Sequence, residues 1–180
     1  FFARKQFVRL IKNEISNAKN GISAKITLKM NSLEDPEMIE HLYLASNQHV
    51  PIHAIIRGIC CLIPNIINQS KNVQIKSILG RFLEHARIFY FANNGNPLFY
   101  IGSADFMTRN LDRRIEVTFP IFDPKLQEIL QTFLFLQWND NVHSRTINAN
   151  QDNAYFLKRT DEKKIDSKEE FLMCLKRYNA

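Results

Sequence analysis

The sequence predicts an α/β fold, one mixed β-sheet flanked by helices on both faces. Two observations carry that prediction. A run of alternating apolar and polar residues at 22–30, a helical segment and a buried apolar run from Ile52 to Arg57 follow one another, and strand, helix, strand in succession implies parallel pairing. Two aromatic-rich runs, Ala86 to Phe91 and Leu98 to Ile101, flank Asn93-Asn94-Gly95-Asn96, a hairpin signal that requires antiparallel pairing.

In chain order, Ala3, Phe7, Leu10, Ile11, Ile15 and Ala18 recur at helical spacing, and Asn20-Gly21 supplies a stop. Ile22, Ala24, Ile26, Leu28 and Met30 then alternate with Ser23, Lys25, Thr27 and Lys29, the period of a half-buried strand. Asp35-Pro36 has the form of an N-cap followed by proline at the first helical position, and Met38, Ile39, Leu42 and Tyr43 continue a second helix. Ile52 to Arg57 reads as a strand ending in the Arg57-Gly58 corner, and Val73 to Leu79 as another closed by Gly80. After the hairpin, Ile115 to Phe119 reads as a further strand. Asp123-Pro124 caps a long helix with Leu126, Ile129, Leu130, Phe133 and Leu134 on one face. Beyond Trp138 the chain turns polar. Residues 1–140 are expected to form the folded unit, and residues 141–180 a polar surface tail. That tail holds a mixed-charge stretch from Lys158 to Glu170 and a short helix around Phe171 to Arg177.

Lys and Arg number 24 against 18 acids, a formal charge of +6 that favours anionic partners without choosing among them. The three cysteines include the adjacent Cys60 and Cys61, and this pattern disfavours a disulfide framework or a zinc site and suits a reducing, cytoplasmic compartment. No apolar run approaches the roughly 20 residues of a membrane span, and no signal peptide is visible. The opening Phe1-Phe2 suggests a piece of a longer protein.

From Gly80 to Ile115 every basic side chain is arginine: Arg81, Arg87, Arg109, Arg113 and Arg114, accompanied by Glu84, Asp105 and Asp112. The planar guanidinium matches phosphate oxygens in a bidentate fork, so the cluster points to phosphoryl recognition; surface ion pairs with the three acids are the alternative. His85 and Arg87 share one strand face, and a hairpin turning near Gly95 brings His85 opposite Gly102-Ser103-Ala104-Asp105. An imidazole, a guanidinium, a hydroxyl and a glycine backbone would converge there as an oxyanion cradle. Arg57, at the end of a buried strand, should project from the carboxyl edge of the sheet, where ligands of open α/β folds gather. His49 and His53 have HxxxH spacing, but Pro51 blocks the helix that would align them on a metal. Neither they nor His41 and His143 are read as catalytic.

Several runs resemble bacterial polyphosphate kinase. They are Lys29-Met30-Asn31-Ser32-Leu33, Ile56 to Leu62, Gly80-Arg81-Phe82-Leu83-Glu84-His85-Ala86-Arg87 continuing to Phe91, and Ile101-Gly102-Ser103-Ala104-Asp105-Phe106-Met107 with Arg109 to Val117. The likeness extends from Phe1 to about Trp138 and marks the second of two phospholipase-D-like domains. It implies a cytoplasmic enzyme that moves the terminal phosphate of ATP reversibly onto polyphosphate through a phosphohistidine. It also implies magnesium held outside this chain, a nucleophilic His in the missing domain and a homo-oligomer at full length. ATP, ADP, polyphosphate and the N-terminal remainder of the enzyme are the implied partners, and no specific nucleic acid is expected. His85 matches the family position proposed to assist as an acid, and Arg57 a position at the nucleotide phosphates; Arg81, Arg87, Ser103, Arg113 and Arg114 complete the expected site.

The broader phospholipase D pattern is HxK, an Asp, then GSxN. This chain has His85-Ala86-Arg87, no Asp near Ala92, and Gly102-Ser103-Ala104-Asp105, in a single copy. A phosphodiesterase of that class needs two copies, one His attacking and one protonating. A polyanion-binding module without chemistry is the third reading.

Overall fold

The computed structural model describes residues 2–156 and 162–178. Helix α1 (Phe2–Lys19) leads through β1 (Ile26–Met30) and α2 (Pro36–Asn47) to β2 (Ile52–Ile56) and β3 (Val73–Ile78). The hairpin β4 (Ile88–Phe91) and β5 (Leu98–Gly102) follows, then α3 (Thr108–Arg113), β6 (Thr118–Ile121), α4 (Pro124–Asn139), β7 (Ser144–Ile147), β8 (Ala154–Tyr155) and α5 (Ser167–Tyr178).

The strands form one mixed sheet in the order β6-β5-β4-β1-β2-β3-β7-β8. β1, β2 and β3 run parallel, from Ile26 opposite Ile52 and Ile52 opposite Val73. β4 lies antiparallel to β1 and pairs with β5 so that Ile88 faces Ile101. The predicted fold class and the predicted pairings of β1, β2, β4 and β5 are those observed.

Ile26, Leu28, Met30, Phe89 and Phe91 point into the main core with Phe7, Ile11, Met38 and Leu42 of α1 and α2. A smaller cluster of Ile88, Phe99, Phe133 and Leu134 joins the sheet to α4, with Phe171 of α5 against it. Asp35 caps α2 through the Met38 amide at 3.0 Å, and Asp123 caps α4 through the amides of Lys125 and Leu126, as the Asp-Pro pairs foretold. Asp35 also receives Arg4 at 2.5 and 2.8 Å, which pins α1 to the start of α2.

Three elements differ from expectation. β1 is buried on both faces, not half-buried, because Thr27 and Lys29 turn toward the α4 side of the sheet and are covered as fully as Leu28. β6 begins at Thr118, leaving Ile115 fully exposed, and a short helix, α3, precedes it. Its register is fixed where Gly102 meets Thr118: a Cβ on Gly102 would lie 2.6 Å from both Thr118 Oγ1 and Val117 O. The segment after Asn139, read as a surface tail, supplies β7 to the sheet against β3, and the closing helix is longer than expected, Ser167–Tyr178. Of the mixed-charge stretch, residues 158–161 lie outside the described residues. Buried Asp140 ties this segment down by accepting from the amides of Val142, His143 and Ser167 and from the Ser167 hydroxyl. Burial alone would raise its pKa, but those donors outweigh it and hold the carboxyl low.

Candidate functional site

Topology collects the arginine-rich segments on one edge. Asn31 follows the carboxyl end of β1, and Arg57 that of β2. Because β4 runs against β1, with Lys29 opposite Ile88, the residues entering β4 lie at this same edge; β5 turns back and delivers Gly102 and Ser103 to it. The Gly102 amide donates to Arg87 O at 3.3 Å, extending the hairpin pairing to the site.

One buried network joins these ends. Asp105 accepts from the Asn31 amide at 2.8 Å and from the Asn31 side chain at 3.2 Å. Arg87 meets the same carboxylate, Nε to Oδ1 at 3.2 Å, while its Nη1 donates to His85 O at 2.9 Å. On the other side, Arg57 Nε donates to Asn31 Oδ1 at 2.6 Å. The sequence Arg57, Asn31, Asp105, Arg87, His85 backbone is therefore one continuous chain of hydrogen bonds. The Gly58 amide also reaches Asn31 O at 2.8 Å, and a Cβ at Gly58 would stand 2.9 Å from that oxygen, so the corner after Arg57 admits only glycine without a shift.

His85, Arg87 and Ser103 line one open cavity with Gly102, Ile101 and Val117. His85 is exposed, and the Ser103 hydroxyl donates to Glu116 and accepts from the Val117 amide at 3.1 Å. Arg57 lines a neighbouring cavity. Arg81 is exposed, stacked on the Phe82 ring at 5.4 Å. Arg113 and Arg114 lie exposed at the end of α3 and line neither cavity. The two arginines held by the network differ in what they have left. Arg87 is committed to Asp105 and the His85 carbonyl, whereas Arg57 has no carboxylate partner among the described residues.

The sequence reading missed Asn31 and treated Asp105 as a surface acid; their only sequence signal was position, each just past a strand that ends at this edge. It also passed over Lys29, buried on the α4 side and 3.6 Å from Glu84. Burial pushes the Lys29 ammonium down; Glu84 opposes that shift, while Arg57 and Lys168 add to it. Lys168 of α5 donates to Phe82 O, so the once-unassigned C-terminal segment braces the loop that carries Arg81. His53 stands away from this edge, stacked on Trp138 at 3.9 Å, and His143 pairs with Asp166 at 3.0 Å. Among the described residues, no group of three or more His, Cys, Asp or Glu is placed to hold a metal ion, so these residues do not fit magnesium and no step is routed through it. No helix among the described residues is long and apolar enough to cross a membrane.

Residues 1–168 match the family described as polyphosphate kinase C-terminal domain 2. Polyphosphate kinase 1 of Chlorobaculum tepidum is 46% identical over 169 residues, 94% of this chain and 24% of that protein. The polyphosphate kinase of Prochlorococcus marinus is 52% identical over 138 residues, 77% of this chain and 19% of that protein. The chain thus spans about a quarter of the length of the curated relatives it matches. The crystal structure of polyphosphate kinase from Porphyromonas gingivalis superposes with a TM-score of 0.93 at 37% identity, over 97% of this chain and 26% of that one. Nuc, a phospholipase D family member from Salmonella typhimurium, superposes with a TM-score of 0.54 at 17% identity over 74% of this chain and 88% of its own, a likeness of fold alone.

Proposed function

This chain belongs to the polyphosphate kinase family as its C-terminal domain 2, and from that premise we propose that it forms the phosphate-gripping part of an ATP:polyphosphate phosphotransferase. The nucleophilic histidine and the magnesium of that enzyme belong to parts of the polypeptide outside this chain. The observation that carries the reading is the hydrogen-bonded chain from Arg57 through Asn31 and Asp105 to Arg87 and the His85 backbone. It fixes a cation with unpaired amines beside an exposed imidazole.

Phosphoryl transfer asks the protein mainly for position and for charge aimed at phosphate oxygens. Arg57, held through Nε, keeps its two terminal amines for a phosphoanhydride. As the terminal phosphorus leaves ATP, its bond to the bridging oxygen breaks, a bond to the nucleophilic nitrogen forms, and negative charge gathers on ADP. His85 donates a proton, or a hydrogen bond, to that leaving oxygen. Arg87 holds the His85 backbone in place. The isolated chain, lacking the nucleophile, is expected to make no polyphosphate.

Calorimetric titration of ATP into the complete polypeptide tests the reading. Arg57→Ala should weaken ATP binding about tenfold or more, and added salt should narrow the difference. Equal binding by the variant and its parent would remove Arg57 from the site and the reading with it.

A further inference from the structure

A cavity of about 220 Å³ lies beside Arg57, bounded also by Gly58, Cys60, Ser77, Leu79 and Ile147, and by Gln151 and Asn153 from the connection between β7 and β8. Its polar lining is unusual in sign. Arg57 is its one full charge, and no carboxylate contributes. Ser77 is only 5% exposed, yet its hydroxyl finds no hydrogen-bond partner among the described residues, nor do the side-chain amides of Gln151 and Asn153. A buried hydroxyl is ordinarily satisfied. Cys60 gives its thiol hydrogen to Leu62 O at 3.5 Å, and burial pushes that thiol up to about 11, so it adds no negative charge at neutral pH. Gln151 and Asn153 both hold left-handed backbone, at φ of 52° and 54°. That conformation is uncommon for side chains other than Asn, Asp and Gly, so the connection is bent at the two residues that line the cavity.

The geometry points to a phosphoanhydride subsite here: Arg57, the Ser77 hydroxyl and the amides of Gln151 and Asn153 take the oxygens of one or two consecutive phosphoryl groups. Each lining group offers donors, which an anion with many acceptor oxygens satisfies together. The volume equals that of about seven waters at ~30 Å³ each, enough for a diphosphate-sized segment. The assignment rests on the proposed role of Arg57 and extends it, by giving the C-terminal segment a part in binding. The segment bound comes either from polyphosphate or from a nucleotide, since both present the same linked phosphates.

The experiment titrates tripolyphosphate and, separately, ATP into the complete polypeptide and into three variants. Ser77→Ala removes the buried hydroxyl. Asn153→Gly removes the amide while tolerating the positive φ. Arg57→Ala is the control. A hydrogen bond to a charged group supports a loss of affinity of about 10- to 100-fold per donor removed. The expected result is a loss of this order with both Ser77→Ala and Asn153→Gly, their thermal unfolding unchanged. A loss confined to tripolyphosphate assigns the subsite to the polyphosphate chain, and a loss confined to ATP assigns it to the nucleotide. If Arg57→Ala weakens binding while Ser77→Ala and Asn153→Gly bind both ligands like the parent, the subsite is overturned and the role of Arg57 stands. If none of the three weakens either ligand, both fall.

Discussion

Arg87 and Asp105 meet fork to fork behind the candidate site, Nε to Oδ1 at 3.2 Å and Nη2 to Oδ2 at 3.4 Å. Their side chains are 11% and 8% exposed, so the pair is a structural element as much as an electrostatic one. Removing one member of such a pair strands the other in a poorly solvated place. Asp105→Asn also sets an NH2 group against donors from Asn31 or Arg87. We expect a loss of about 3 kcal/mol in unfolding free energy by urea titration. Arg87→Lys, which keeps the charge and loses the fork, should cost less. Equal stability of Asp105→Asn and the parent would show that the pair is dispensable.

The role of His85 separates by substitution to glutamine, which retains a donor but cannot act as an acid near neutral pH. In the complete enzyme, His85→Gln should lower kcat by roughly 10²- to 10⁴-fold with little change in ATP affinity. A fall in affinity with kcat preserved at saturation would make His85 a phosphate contact instead.

His53 gives the fold a dependence on pH away from the site. Burial, with Lys25 and Lys76 adding to it, depresses the imidazole from 6.5 to about 4. Between those values the unfolded chain binds the proton that the folded chain refuses. The stabilisation is therefore full above pH 6.5 and is lost as pH falls toward about 4. Melting temperature should decline over that window. His53→Phe, which keeps a ring against Trp138, should flatten the decline, and an unaltered profile would discharge His53 from this role.

The two helix-capping aspartates should not be equivalent. Asp123 serves only the amides of Lys125 and Leu126, and Asp123→Ala should cost about 1 kcal/mol, the usual worth of an N-cap. Asp35 caps α2 and also receives Arg4 and the Thr108 hydroxyl. Burial works to raise its pKa, but Arg4, the Met38 amide and Thr108 outweigh that and hold it low, so this stabilisation is present at neutral pH and lost as the carboxyl protonates in acid. Asp35→Ala should cost about 3 kcal/mol in chemical denaturation at neutral pH, and much of the difference between the two variants should vanish in acid. Equal losses at neutral pH would mean that Arg4 contributes nothing through Asp35.

What the sequence determined by itself was local. Periodicity set α1, Asp-Pro pairs set the starts of α2 and α4, and Asn93 to Asn96 set the hairpin whose register carries Ile88 opposite Ile101. These features are encoded by residues within a few positions of one another, where capping and turn chemistry act. The long family runs likewise located His85, Arg57 and Ser103 without any geometry. Tertiary structure decided what depends on distant neighbours. Asn31 and Asp105 stand 74 positions apart, and only the antiparallel return of β4 and β5 to the carboxyl edge of β1 puts them in contact. Lys29 alternates like a solvent-facing residue, yet the layer of α4 and α5 on the second face of the sheet buries it. The polar composition after Asn139 describes equally well a loose tail and an edge strand with one wet face. The pairing of β7 with β3 chose between them, because the open ladder of β3 could be satisfied only by chain brought back from that far end.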